Sequence, residues 1–150
     1  MKRRRFIVRA AGILALPLAR AVGAQGATLE SKLAGVRELA AGAPIRIGRV
    51  NLDLPPLSDN GNAVALRVAA ASPMSESDYV RSIHLFAERN PRQNVANFFF
   101  GPYSGRAEIA TRMRLAGSQR VIAIARMSDG SLWAATADVV VTLSACLDES

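Results

Sequence analysis

Arg106-Ala107-Glu108-Ile109-Ala110-Thr111-Arg112-Met113-Arg114-Leu115 alternates residue by residue. Ala107, Ile109, Thr111, Met113 and Leu115 share one parity, while Arg106, Glu108, Arg112 and Arg114 share the other. A strand points successive side chains to opposite faces, so this stretch reads as a half-buried β-strand with a charged outer surface. Downstream, Ala116-Gly117-Ser118-Gln119 reads as a turn into an apolar run, Arg120–Met127, and the two runs are expected to form a hairpin. Ser128-Asp129-Gly130 then turns the chain into a last strand, Leu132–Leu143.

The same punctuation continues upstream. Asn94–Phe100 and Tyr79–Ala87 are strand candidates on either side of Glu88-Arg89-Asn90-Pro91. A loop at Ser72–Asp78 precedes them, and Ala63–Ala71 is the next strand back. Ser58-Asp59-Asn60-Gly61-Asn62 is a turn cluster, with Asn60-Gly61 a strong turn dipeptide. Ile45–Leu54 is the first strand and stops at Pro55-Pro56. About seven short strands at this spacing predict an all-β fold, two packed antiparallel sheets in a sandwich. Ahead of them, Ala27–Ala41 reads as one amphipathic helix, with Thr28 as cap, Glu30 in its first turn, and Gly42 and Pro44 closing it.

Lys2-Arg3-Arg4-Arg5-Phe6-Ile7 opens the chain, and the apolar run behind it is broken by Arg9, Gly12, Pro17 and Arg20. Val22-Gly23-Ala24 supplies small residues for a signal peptidase, so residues 1–24 read as an export signal of twin-arginine type, with an ordinary Sec signal as the alternative. The run is too short to anchor in a membrane. The expected organisation is a signal at 1–24, a helix and lead-in at 25–44, a β-sandwich at 45–143 and a tail at 144–150. The expected compartment is the periplasm.

Six of the 19 basic residues lie in that signal, leaving 13 against 12 acidic ones. The net charge of +7 therefore belongs mainly to the signal. The rest of the chain has neither the basic field nor the basic runs that nucleic-acid binding requires.

Cys146 is the only cysteine. In an oxidising compartment it has no internal disulfide partner, and an odd thiol points to intermolecular pairing or a reactive role. Along the last strand Trp133, Ala135, Ala137, Val139, Val141 and Leu143 occupy the apolar parity, and Thr136, Asp138, Thr142 and Ser144 the other. An extended continuation puts Cys146 on the polar parity, facing water. The competing reading is a small apolar residue packed at a strand end. Asp148, Glu149 and the chain end are negative and disfavour a further negative charge on the sulfur, which suits a carrier loaded by enzymes better than a self-activating catalyst.

Other chemistries lack their parts. His84 is the only histidine, which leaves a cysteine-protease pair without an evident base and a two-histidine copper site incomplete. No cysteine cluster suits zinc or iron–sulfur, no glycine-rich phosphate loop is present, and no cofactor is expected. Asp53, Asp78 and Asp138 read as turn or surface residues. Phe98-Phe99-Phe100 is either a core strand end or an exposed patch with at least one ring outward.

Four segments carry a family resemblance: Ser72-Pro73-Met74, Tyr79–Pro91, Ser104-Gly105-Arg106-Ala107-Glu108, and Met127-Ser128-Asp129-Gly130-Ser131-Leu132-Trp133. With them the chain resembles the SoxY family, the sulfur-carrying subunit of the periplasmic thiosulfate-oxidation system. The resemblance implies an immunoglobulin-like sandwich, a small β-sandwich partner called SoxZ, and a carboxy-terminal cysteine on a mobile arm. Sulfur intermediates from an inorganic sulfur compound are attached to that cysteine and presented to separate enzymes. Cys146 is the position that corresponds. The family's arm reads Gly-Gly-Cys-Gly-Gly; here Ser144-Ala145-Cys146-Leu147-Asp148 is closer to a related group reading Ala-Ala-Cys-Ile-Glu. Side chains in place of glycines restrict and widen the tail, and its negative charges repel a thiosulfate dianion. The alternative function is a non-covalent binding module in which Cys146 is incidental.

Overall fold

A computed structural model describes residues 28–146; the expected signal at 1–24, the first residue of the expected helix and tail residues 147–150 lie outside that range. Its elements are a helix α1 (Ala34–Ala40) and nine strands: β1 (Ile45–Ile47), β2 (Val50–Asp53), β3 (Leu57–Asn60), β4 (Val64–Ala70), β5 (Val80–Ala87), β6 (Asn94–Phe99), β7 (Ala107–Met113), β8 (Gln119–Met127) and β9 (Leu132–Leu143). The larger sheet runs β1-β9-β8-β5-β6, with β3 also pairing β9, and the smaller runs β2-β4-β7. The fold is the immunoglobulin-like β-sandwich anticipated. β1 and β3 both lie parallel to β9, one along its start and the other along its end.

The main core lies between the sheets, where Val64, Leu66 and Val68 of β4 meet Ile83 and Leu85 of β5 and Val121 and Ala123 of β8. A second core lies on the outer face of the larger sheet: Val36 of α1 packs with Phe86, Ile122, Ile124, Leu132 and Ala134. A Cβ on Gly35 would stand 3.0 Å from the Phe86 ring, so the glycine lets the helix sit close. The Arg126 guanidinium donates to the Leu39 carbonyl at 2.7 Å, placing a cation at the helix end that favours one.

This double burial explains the main departure from the sequence reading. β7 and β8 do not form a hairpin: β7 pairs β4 in the smaller sheet, while β8 lies between β5 and β9 in the larger. β8 is apolar on both faces and must be covered on both, each fully buried aliphatic side chain contributing about 1.5–3 kcal/mol. β7 has a charged outer face and suits the sheet left bare.

Three smaller expectations change as well. Ile45–Leu54 is not one strand, because Gly48 and Arg49 adopt φ of 126° and 55° and carry the chain from one sheet to the other. The helix is seven residues rather than fifteen, since the Leu29 amide donates to the Ile45 carbonyl and Thr28 bridges Arg46, extending the sheet edge instead. Of the expected turn Ser58–Asn62, Ser58–Asn60 instead belong to strand β3, which is followed by a 3-10 turn at Gly61–Ala63. Asn60 still acts as a turn residue, its Oδ1 accepting from the Asn62 amide at 2.9 Å.

Candidate functional site

β9 is flanked by β1 and β8 at Leu132–Ala134 and paired by β8 alone as far as Val139. β8 stops pairing at Gln119–Val139, and beyond that point β9 is held by three other pieces of chain. β3 runs alongside, matching Leu57 to Val140, Ser58 to Val141 and Asn60 to Leu143. The Thr142 hydroxyl donates to the Asp59 carbonyl at 3.0 Å. From the crossover between β7 and β8, the Ser118 hydroxyl accepts from the Val141 amide at 2.9 Å.

The last fixed point is a backbone junction. The Leu115 amide donates to the Gly61 carbonyl at 2.8 Å, and the Leu115 carbonyl accepts from the Ala145 amide at 3.0 Å. A Cβ on Gly61 would fall 2.6 Å from the Leu115 oxygen and 2.8 Å from the Ala145 nitrogen. Only glycine lets these three backbones meet. Ala145 is buried, and the next residue, Cys146, is exposed. The parity argument therefore holds, and Cys146 is not packed in the core.

The crossover is made rigid by a buried amide pair. Asn90 and Gln119 are both 7 % exposed. The Asn90 Oδ1 accepts from the Ala116 amide at 3.0 Å and from Gln119 Nε2 at 2.9 Å, and its Nδ2 donates to the Arg114 carbonyl at 2.9 Å. The Arg89 guanidinium donates to the Ser118 carbonyl at 3.1 Å. Buried amides with every bond satisfied fix a loop well.

Around the root of the tail the surface is apolar. Leu57, Val140 and Leu143 are 56 %, 54 % and 69 % exposed, and Leu57 and Val140 are cross-strand partners. Asp138, on the same parity as Val140, holds Arg120 in a two-pronged ion pair at 3.0 and 3.2 Å.

His84 is engaged elsewhere. Its Nε2 meets the Ser82 hydroxyl at 2.8 Å and its Nδ1 the Asn97 Oδ1 at 2.7 Å. Burial lowers its pKa below the ordinary value, partly offset by the Asn97 bond and reinforced by the Arg126 charge. Of the three phenylalanines, Phe98 and Phe100 pack against the core, while Phe99 is exposed and stands edge-on to His84. Asp78 pairs with Arg49 at 3.3 Å, and Asp53 is exposed on β2. Among the described residues no group of three or more His, Cys, Asp or Glu side chains comes together as a metal site.

Of the segments that carry the family resemblance, Ser72-Pro73-Met74 and the β8–β9 turn lie toward the opposite end of β9, whereas Tyr79–Pro91 runs the length of β5 and ends at Asn90 beside the crossover. The Ser128 hydroxyl accepts from the Tyr79 amide at 3.1 Å and donates to the Ser77 carbonyl, which ties the 72–78 loop to the β8–β9 turn. The guanidinium carbons of Arg46 and Arg49 lie 5.5 and 5.7 Å from the Trp133 ring centre, within cation–π range.

Sequence reading located Cys146 and its exposure but not the junction beneath it. Gly61 was legible only as half of a turn dipeptide, and nothing local marks Leu115, Ser118 or Asn90, because their partners lie 23 to 30 residues away or more.

A family model described as sulfur oxidation protein SoxY matches residues 36–146. Among solved structures the chain is similar to the sulfur carrier protein SoxY from Chlorobium limicola f. thiosulfatophilum, at 24 % identity and a TM-score of 0.61, covering 73 % of this chain and 94 % of that one. It is also similar to the superoxide reductase (neelaredoxin) of Ignicoccus hospitalis, at 19 % identity, TM-score 0.56, and 63 % and 80 % coverage. The superoxide reductase of Nanoarchaeum equitans follows at 14 % identity, TM-score 0.50, and 60 % and 90 % coverage. At these identities the structural likeness is one of fold alone. No curated protein matches the chain.

Proposed function

The chain belongs to the SoxY family of sulfur oxidation proteins, and on that premise we propose that it is a sulfur carrier whose covalent attachment point is Cys146. The observation that carries this reading is the place of the thiol. Among the described residues it is exposed, one residue past the Ala145 amide that the Leu115 carbonyl holds.

The chemistry is exchange at sulfur. The Cys146 thiolate attacks the outer sulfur of a donor persulfide; the new S–S bond forms as the donor's breaks, and the donor thiolate leaves and takes up a proton. That step needs no external oxidant. Coupling thiosulfate to the thiol instead releases two electrons, and a partner oxidoreductase must accept them. The engagement of His84 with Ser82 and Asn97 is consistent with a carrier that relies on its enzymes for activation. The resemblance adds a SoxZ-like β-sandwich subunit, sulfur-oxidising enzymes as partners, and export to the periplasm by the signal at 1–24. The tail sequence favours a sulfur species other than the thiosulfate dianion.

Incubation with a persulfide donor should add 32-dalton increments, seen by mass spectrometry and mapped to Cys146. Cys146→Ser should carry none. A thiol that takes up no sulfur from any donor or partner enzyme would refute the carrier reading.

A further inference from the structure

The junction of Gly61, Leu115 and Ala145 does more than finish a sheet edge. It sets how far the thiol can travel. With the Ala145 amide held by the Leu115 carbonyl, Cys146 extends by one Cα step, about 3.8 Å, plus its own side chain. Each further residue freed adds about 3.3–3.6 Å of reach. Opening the hold back to Thr142 frees Leu143, Ser144 and Ala145 and so adds roughly 10 Å. The reach of the tail is thus controlled by contacts that sequence distance hides.

We propose that Gly61 and Ser118 are positioning residues for Cys146, building a backbone clamp that keeps the thiol at the domain surface. This inference rests on the carrier reading above and deepens it by naming the kind of partner the thiol serves. A clamped thiol meets a partner whose reacting sulfur lies in an open, shallow site. A partner with a deep channel is served only when the clamp opens. Gly61 contributes by lacking a Cβ where three backbones converge, and Ser118 by accepting the Val141 amide. Asn90 supports both by fixing the crossover from Arg114 to Gln119.

The test uses the full chain and two probes of Cys146: free N-ethylmaleimide, and a maleimide recessed within a cyclodextrin ring that only an extended tail reaches. Amide hydrogen exchange at Val141 and Ala145 is followed in parallel. The wild type and Ser118→Thr, which keeps the hydroxyl, should protect both amides and strongly prefer the free probe. Ser118→Ala should speed Val141 exchange about fivefold, the effect of losing one net hydrogen bond, and raise the recessed-to-free ratio by a similar factor. Gly61→Ala should do the same at Ala145 by forcing the backbones apart.

The proposal falls if the wild-type Ala145 and Val141 amides exchange like those of an unstructured peptide. It also falls if the probe ratio is the same in all four proteins. Neither readout uses a sulfur donor, so failure of the clamp leaves the carrier reading standing, and failure of sulfur loading leaves the clamp measurable.

Discussion

The two ends of β9 are built from one continuous strand, yet they do opposite work. At the Leu132 end, β1 lies on one side and β8 on the other, α1 covers the outer face, and Trp133 is flanked by Arg46 and Arg49. At the Leu143 end, roughly 35 Å away along the strand, β8 has run out and the outer face is bare. There the strand is held by hydrogen bonds to β3 and the crossover, with Val141 still packed in the main core. One end stores stability in buried side chains. The other presents a side chain while holding the strand mainly through hydrogen bonds. The difference arises where β8 stops, at Gln119–Val139, because a strand without a covered face gains nothing from large apolar side chains.

The contrast is sharpest in Cys146→Ser. It should abolish sulfur uptake completely while leaving the thermal midpoint unchanged, since the thiol is exposed among the described residues. A clear drop in midpoint would mean that the two ends are not separable. Trp133→Ala should show the reverse, costing about 2–3 kcal/mol in chemical denaturation as a half-buried ring and its two cation contacts are lost. Sulfur uptake per folded molecule should stay at wild-type level. Arg49→Ala should cost at most about 1 kcal/mol, because its pair with Asp78 is partly exposed, and the difference should shrink in high salt.

The smallest effect is a pH slope. The folded pKa of His84 lies below its ordinary 6.5, with burial as the leading cause. Between the two values the unfolded chain binds more protons, so stability rises with pH there. The denaturation midpoint should therefore fall as pH drops from about 6.5 and level off below the folded value. His84→Gln should flatten that segment without altering sulfur uptake. If uptake did change, the histidine would be tied to the thiol after all.

Strand content was legible because alternation is a local signal. Ala107, Ile109 and Met113 are buried and Glu108 and Arg112 exposed, as the parity of the run requires. The exposure of Cys146 followed from the same rule carried past the strand end. Parity did less well where both faces are covered. Leu132 and Ala134 lie on the parity that turns polar further along β9, and they are buried because α1 happens to lie over them. Leu143 has the apolar parity but is exposed, since no opposing sheet reaches that far.

Pairing was not legible. Nothing near Gly117 distinguishes a turn back onto β7 from a crossing to the other sheet, and the decision came from β8 needing cover on two faces. The short helix shows the same limit, because Thr28 and Leu29 fall within the expected helix but find strand and carbonyl partners along β1.

By itself, then, the chain's residue pattern determined the β class, the outward direction of the one cysteine and the family likeness, all of which are written in spacings of a few residues. Only the tertiary structure decided which strands are neighbours, where the second core lies, and that Gly61, Leu115 and Ser118 meet the strand beneath Cys146. Those contacts join positions dozens of residues apart, and their energy depends on which surfaces remain uncovered once the sheets have packed.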